Sequence, residues 1–332
     1  MEYDSNPIMA PGYHEGVWRS IIVPNYQLKR TGDSSEVNGG AVLQIERSSN
    51  QALSQNRNDP SVFLDGRQES EAGEFGLSAR YDVVSTRIAD IDNAGPLVAD
   101  STRSSKTISG SWSKALSEHS TLSVDGSYEG VYYSGGPYLN YVDQTVGFRY
   151  SYSWSGRIAT FLSLSNDKYV QAGGGPSSRL TTTTLGLDWK IADNLEGTFQ
   201  AGRNTIDNGQ ASKQGSVEVN YTGERAGLIV NASRQITPSG QGGFVATDQA
   251  NGRWSYAVSE LNNAGIDMSW RKTFFIPNIV TDSSMGAWLQ HEINSFWLVR
   301  TNYLYRKREQ IEFGNANSNY LGMAFIFSHS EL

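Results

Sequence analysis

"YVDQTVGFRYSYSW", residues 141–154, decides how this chain is read. Val142, Val146, Phe148, Tyr150, Tyr152 and Trp154 alternate with Asp143, Thr145, Gly147, Arg149, Ser151 and Ser153. A period of two is the period of a β-strand, so the segment has one apolar, aromatic face and one polar, charged face. The fold turns on which face lies inside.

The same alternation recurs along the chain. "TLSVDGSYEGVYY" (121–133) sets Leu122, Val124, Tyr128 and Tyr132 against Ser123, Asp125, Ser127 and Glu129. "TTTTLGLDWK" (181–190), "QGSVEVNY" (214–221), "AGIDMSWRK" (264–272) and "FWLVRTNYLYRKR" (296–308) repeat it, and none has helical spacing. The links between such segments alternate as well. Tight ones, such as "RTGDSS", "SWSGR", "IADN" and "TGER", are built from turn-forming Gly, Asn, Asp and Ser. Longer ones, such as "YSGGPY", "VQAGGGPSSR" and "TPSGQGGFVATD", lie between them. Short, long, short, long is the pattern of an up-and-down meander with two unlike rims.

Composition narrows the class. The 332 residues are 38% hydrophobic, with 34 Gly, 17 Tyr and 8 Trp, and the mean hydropathy is -0.46. No run approaches the roughly 20 apolar residues of a membrane-spanning helix. A net charge of -7 argues against a nucleic-acid partner, which calls for a clustered basic face. The absence of Cys removes disulfides and thiolate metal sites. "EYDSNPIMAPGY" after Met1 is polar at once and has no apolar leader segment, which leaves two readings, a cytosolic protein or a mature secreted chain with a start Met in place of its leader.

A soluble sandwich buries its apolar faces between two sheets, whereas a membrane barrel turns them toward lipid and the polar faces toward a wet lumen. Three features favour the barrel. A meander this long is an unusually large open sheet unless it closes, and closure removes its edges. Trp112, Tyr128, Tyr132, Tyr150, Trp154, Trp189, Tyr221, Trp254 and Trp270 lie toward the ends of apolar faces, as aromatic girdles do. Arg80, Asp125, Glu129, Arg149, Glu196, Glu218, Arg253, Asp267, Arg271, Arg300 and Arg306 fall on the opposite parity, where charge needs water or partners.

The expected fold is therefore all-β: one transmembrane up-and-down antiparallel β-barrel over residues 1–332, with about eighteen strands, or sixteen on a stricter count. "YDSNPIMA" is read as the first strand. The expected location is a bacterial outer membrane, with lipid around the wall and the termini and tight turns on the periplasmic side. Tyr141, Phe161 and Trp288 are expected to point inward.

Several segments also resemble a family, the outer-membrane β-barrel porins of Gram-negative bacteria associated with exopolysaccharide-export and exosortase (PEP-CTERM) systems. The resembling pieces are "EYDSNP", "RNDPSVFL", "STRIADIDNAGPLVADSTRSSKTISGSW" and "ASRQITPSGQGGFVATDQ", which in this order span most of the chain. The resemblance implies a barrel that passes a secreted polysaccharide, with periplasmic export proteins as partners. It brings no catalytic residue.

No residue set points to an enzyme. His14, His119, His291 and His329 are scattered, with no nucleophile motif around His14 on its long loop and no metal-ligand cluster or cofactor motif. "QAGGGPSS" lacks the Lys and the helix of a phosphate loop. Asp90, Asp92 and Asp100 do not follow calcium-loop spacing. "NAS" at Asn231 has the glycosylation pattern by coincidence. The function read from the sequence is an outer-membrane channel for a large polar solute such as exopolysaccharide. A small-solute diffusion porin and a non-transporting scaffold around a periplasmic or lipoprotein partner are its rivals.

Overall fold

The computed structural model describes residues 1–12, 15–87, 101–207, 209, 211–275, 278–310 and 314–329. The strands are β1 (Glu2–Asp4), β2 (Val17–Ile22), β3 (Asn25–Thr31), β4 (Ser35–Ser48), β5 (Arg57–Ser70) and β6 (Gly73–Ser85). They continue with β7 (Thr102–Ala115), β8 (Ser120–Ser134), β9 (Tyr141–Ser155), β10 (Ile158–Gln171), β11 (Ser177–Ala192) and β12 (Leu195–Ile206). The last are β13 (Ala211–Thr222), β14 (Ala226–Pro238), β15 (Phe244–Ala257), β16 (Asn262–Phe274), β17 (Ile279–Glu292), β18 (Trp297–Gln310) and β19 (Gly314–Phe327).

From β4 to β19 each strand pairs antiparallel with its chain neighbour. β2 and β3 are two halves of one strand, because both pair with β4. The interruption falls at Val23 and Pro24, where proline has no N–H to give the ladder. Pro24 still accepts through its carbonyl from Leu43 N–H at 3.0 Å. Counting β2 and β3 together, the ring has eighteen antiparallel strands.

Closure is made by β1, which pairs with β19 (Tyr3 opposite Leu321) and with β2 (Tyr3 opposite Trp18). Of the expected first strand at 3–10, only its beginning is extended. Asn6 instead makes a turn, its side chain bonding the Ala10 carbonyl at 2.9 Å and the Asn317 carbonyl at 3.1 Å. β1 is so short that β3 and the last four residues of β19 have no partner strand on their facing edges among the described residues.

The two rims differ as the link lengths foretold. Tight turns join β4's predecessor to β4 at 32–34 and β9 to β10 at 156–157, while longer connections cross the opposite rim. Gly173 and Gly174 in the 172–176 connection adopt φ of 79° and 83°, a conformation glycine enters without a Cβ penalty. Many of the buried residues lie toward the long-loop rim, among them Asp4, Val17, Glu46, Arg87, Val131, Tyr141, Tyr169 and Val245. The interior is thus packed by connections at one end.

The outward face is apolar and exposed, with Val146 at 63%, Leu185 at 64% and Phe325 at 63%. In water so much exposed apolar surface is untenable; against lipid it is the favourable arrangement. On β7 and β8, Trp112 lies level with Val124 and eight residues below Tyr132, a height of about 20 Å on tilted strands.

Candidate functional site: the barrel interior

The ladder register assigns a face to every strand residue. Arg80, Asp125, Glu129, Arg149, Glu196, Glu218, Arg253, Asp267, Arg271, Arg300 and Arg306 all share the inner face. Trp112, Tyr128, Tyr132, Tyr150, Trp154, Trp189, Tyr221, Trp254 and Trp270 all share the outer one. Trp112 is half-buried, its indole N–H donating to the Ala72 carbonyl at 3.1 Å. His14 and the acids at 90, 92 and 100 lie outside the described residues.

Many inner charges are neutralised by a neighbour. Arg253 meets Asp267 at 2.7 Å, Arg149 meets Asp188 at 3.2 Å, Arg103 meets Glu129 at 3.1 Å and Arg308 meets Asp282 at 2.6 Å. Three of these pairs join adjacent strands, while Arg149–Asp188 reaches from β9 across β10 to β11; together they stiffen the wall more than they create a charged funnel. Around the closure they merge into a network. Asp4 accepts from Arg306 at 2.6 Å and from Arg19 at 3.3 Å. Arg19 also bonds Glu2, and Arg87 reaches Glu46 at 2.9 Å and bonds Ser54. A cavity of ≈ 440 Å³ opens beside this network.

Three aromatic side chains stand on the inner wall, each over a glycine of the next strand and each faced by an arginine. Phe161 lies over Gly186, Trp288 over Gly265 and Phe63 over Gly40; a Cβ at any of these glycines would collide with the ring. Arg149 covers Phe161 with its guanidinium carbon 3.6 Å from the ring centre. Arg300 covers Trp288 at 4.6 Å and Arg80 approaches Phe63 at 5.9 Å. The rings are thus held flat to the wall by absent side chains behind and by cation–π attraction in front. Tyr141 also points inward, but it is buried against Tyr169 at 5.0 Å between ring centres, as part of the packing at the long-loop rim. Phe63 was not singled out by sequence, although its parity between outward Val62 and Leu64 carries the signal.

Along the middle and long-loop portions of β11 to β15 the inner wall carries a panel of amides and hydroxyls, with Glu218 opposite Asn231 and Arg271 of β16 opposite Gln249 at its margins. Thr182, Thr184, Gln200, Asn204, Gln214, Ser216, Asn231, Ser233, Gln235, Gln249 and Asn251 form it. Its members bond one another: Gln200 to Ser216 at 2.8 Å, Gln214 to Thr184 at 2.7 Å, Asn251 to Asn231 at 2.9 Å and Thr182 to Asn204 at 2.7 Å. A cavity of ≈ 420 Å³ adjoins them. Below the panel, at the tight-turn rim, a larger cavity of ≈ 680 Å³ is charged, lined by Arg157, Asp188, Lys190, Glu196 and Glu218.

Over the opposite rim, the 135–140 and 239–243 connections meet, Leu139 N–H donating to the Gly240 carbonyl at 2.7 Å. Phe244 stands 6.1 Å from Tyr169 between ring centres beneath this contact.

The same architecture occurs in solved outer-membrane proteins. The ferric citrate transporter FecA in its unliganded form superposes with a TM-score of 0.52 at 12% identity, over 97% of this chain and 62% of its own. The copper transporter OprC gives 0.52 at 9% identity, over 99% of this chain and 64% of its own. The FrpB iron transporter from Neisseria meningitidis gives 0.51 at 9% identity, over 99% and 67%. The fold is an outer-membrane barrel. At these identities the likeness is one of fold alone, and the chain spans under two thirds of the length of the first two. No protein-family model matches the sequence, and no curated protein matches it.

Proposed function

We propose that the barrel is an outer-membrane channel that passes a large polar solute through a hydrated lumen, with a secreted polysaccharide as the solute class. The amide and hydroxyl panel on β11 to β15, together with the Phe161 platform beside it on β10 and the Trp288 platform two strands beyond it on β17, carries this reading. Sugars offer hydroxyls that exchange hydrogen bonds with amides and apolar C–H faces that stack on flat rings, so such a wall holds them weakly at many points. Weak, repeated contacts favour movement over retention. The neutrality of the panel favours an uncharged or weakly charged glycan over a strongly acidic one. Periplasmic export proteins would supply the chain at the charged tight-turn rim.

Planar-bilayer recording with a neutral oligosaccharide, maltohexaose, tests the reading. The barrel is expected to conduct ions and to show transient current blocks by the sugar. Replacing Trp288 with Ala is expected to shorten the blocks about tenfold, the equivalent of one lost stacking contact. Absence of conductance would sink the channel, and conductance without sugar block would favour a small-solute porin instead.

A further inference from the structure

The outer wall carries a second charge pattern, which the lumen does not explain. On β12 the outward residues run Leu195, Gly197, Phe199, Ala201 and then Arg203; on β13 they run Tyr221, Val219, Val217, Gly215 and then Lys213. Arg203 and Lys213 stand directly opposite each other where the apolar band ends. Lys168 and Arg179 form a second outward like-charge pair nearer the long-loop rim, on β10 and β11. Like charges directly across a ladder repel. Among the described residues, none of these four has an ion-pair partner, although the Asp207 carboxylate accepts from the Arg179 backbone N–H at 2.9 Å.

The pattern extends around the wall. Arg234, opposite Gly215, points outward beside Lys213 and touches Asp248 at 3.5 Å, and Lys272 stands opposite Asp248. From β10 to β16 the outward long-loop half therefore sets six cations against the acids Asp207 and Asp248. In a chain of net charge -7, this excess is local. Strands of 12–16 residues exceed the roughly 9–11 needed to cross the hydrocarbon, so these positions reach the headgroup layer.

We propose that this face binds anionic lipid headgroups that carry phosphomonoesters, with Arg203 and Lys213 sharing one phosphate between them. A headgroup phosphate set between the two cations turns the repulsive pair into a charge-assisted, hydrogen-bonded one. The acyl chains of the same lipid would lie along Ala201, Phe199, Val217 and Val219 directly below, so charge and hydrocarbon are offered in the order a lipid presents them. The proposal rests on the barrel spanning a membrane and is independent of the solute it passes.

Native mass spectrometry of the purified barrel, released from detergent in the presence of lipid A, monophosphoryl lipid A or phosphatidylcholine, provides the test. The wild type is expected to retain lipid A about tenfold more than phosphatidylcholine, with the monophosphoryl form between them. The double variant Arg203→Gln/Lys213→Gln is expected to lose that preference, and Arg203→Lys/Lys213→Arg to keep it. Lys114→Gln, on the opposite rim, is expected to change nothing. Equal retention of lipid A by the Gln double variant and wild type would overturn the proposal. So would selective displacement by inorganic phosphate over chloride at equal ionic strength, which would mark a site for the free anion. Liposome flotation of each variant reports membrane insertion separately, so loss of the barrel reading and loss of the lipid site give different results.

Discussion

Asp4 and Arg306 meet at 2.6 Å across the closure of the ring, although 302 positions separate them in the chain. Asp4 is 1% exposed and also accepts from Arg19, Ser318 and the Asn6 backbone N–H. Replacing it with Ala leaves two guanidinium groups facing each other with their shared counter-charge gone. The expected cost is about 3 kcal/mol, as for a buried ion pair broken on one side. Urea titration of the liposome-embedded barrel, followed by the gel-mobility shift between folded and unfolded forms, measures it. A variant as stable as the wild type would show that the backbone ladder alone closes the ring.

The two faces of the wall predict opposite tolerances. Val146 is outward and 63% exposed in the apolar band, and Val146→Arg is expected to cost about 2–4 kcal/mol in a lipid bilayer. Ser233, inward on β14 opposite Gln249, is expected to accept Arg at under about 1 kcal/mol because the lumen is wet. Equal costs in refolding titrations would contradict the assignment of faces.

Two tryptophans give an optical test of the same geometry. Trp154 is outward and 66% exposed, whereas Trp288 lies on the inner wall under Arg300. In variants that retain Trp154 or Trp288 as the sole one of the eight tryptophans, brominated acyl chains are expected to quench Trp154 and leave Trp288 bright. Iodide is not an even probe here, since Arg300 attracts it; acrylamide should reach Trp288 through the lumen. Bromolipid quenching of Trp288 would place it in the wrong environment.

The packed long-loop rim predicts a gating effect. Tyr169 stacks on Tyr141 and lies beneath Phe244 and the Leu139–Gly240 contact. Replacing Tyr169 and Phe244 with Ala removes the aromatic packing under the two joined connections. Single-channel conductance of the double variant is expected to rise severalfold, with a larger fraction of time spent open. An unchanged conductance would mean that ions already pass beside this cluster.

Much of the fold was legible because side-chain parity is a local property. A strand that presents Phe148 and Tyr150 to one side and Arg149 to the other announces both faces without knowledge of its neighbours, and the link lengths then order the strands. The Phe161 and Trp288 platforms were legible for the same reason. Their glycine beds were not, since Gly186 and Gly265 meet those rings only through ladder register. Nor was the shortness of β1, which depends on Asn6 finding Asn317 across more than 300 residues. The packing of Tyr141 against Tyr169 and Phe244 likewise joins separate connections, and periodicity carries no information about which loops touch.

The three-residue β1 also has a kinetic meaning. Most neighbouring strands in the ring are joined by a turn or loop, so their pairing needs only local chain closure. Glu2 against Gly322 is different, for it joins opposite ends of the sequence. Loop-closure entropy rises with the intervening length, and contacts of high sequence separation form slowly. The expected order of assembly is therefore a curling meander first and the seam last. Until the seam forms, the meander exposes two strand edges able to pair with another copy. The Asp4 network then acts as a late latch, able to change the lifetime of the open sheet while leaving the formation of the hairpins unaffected.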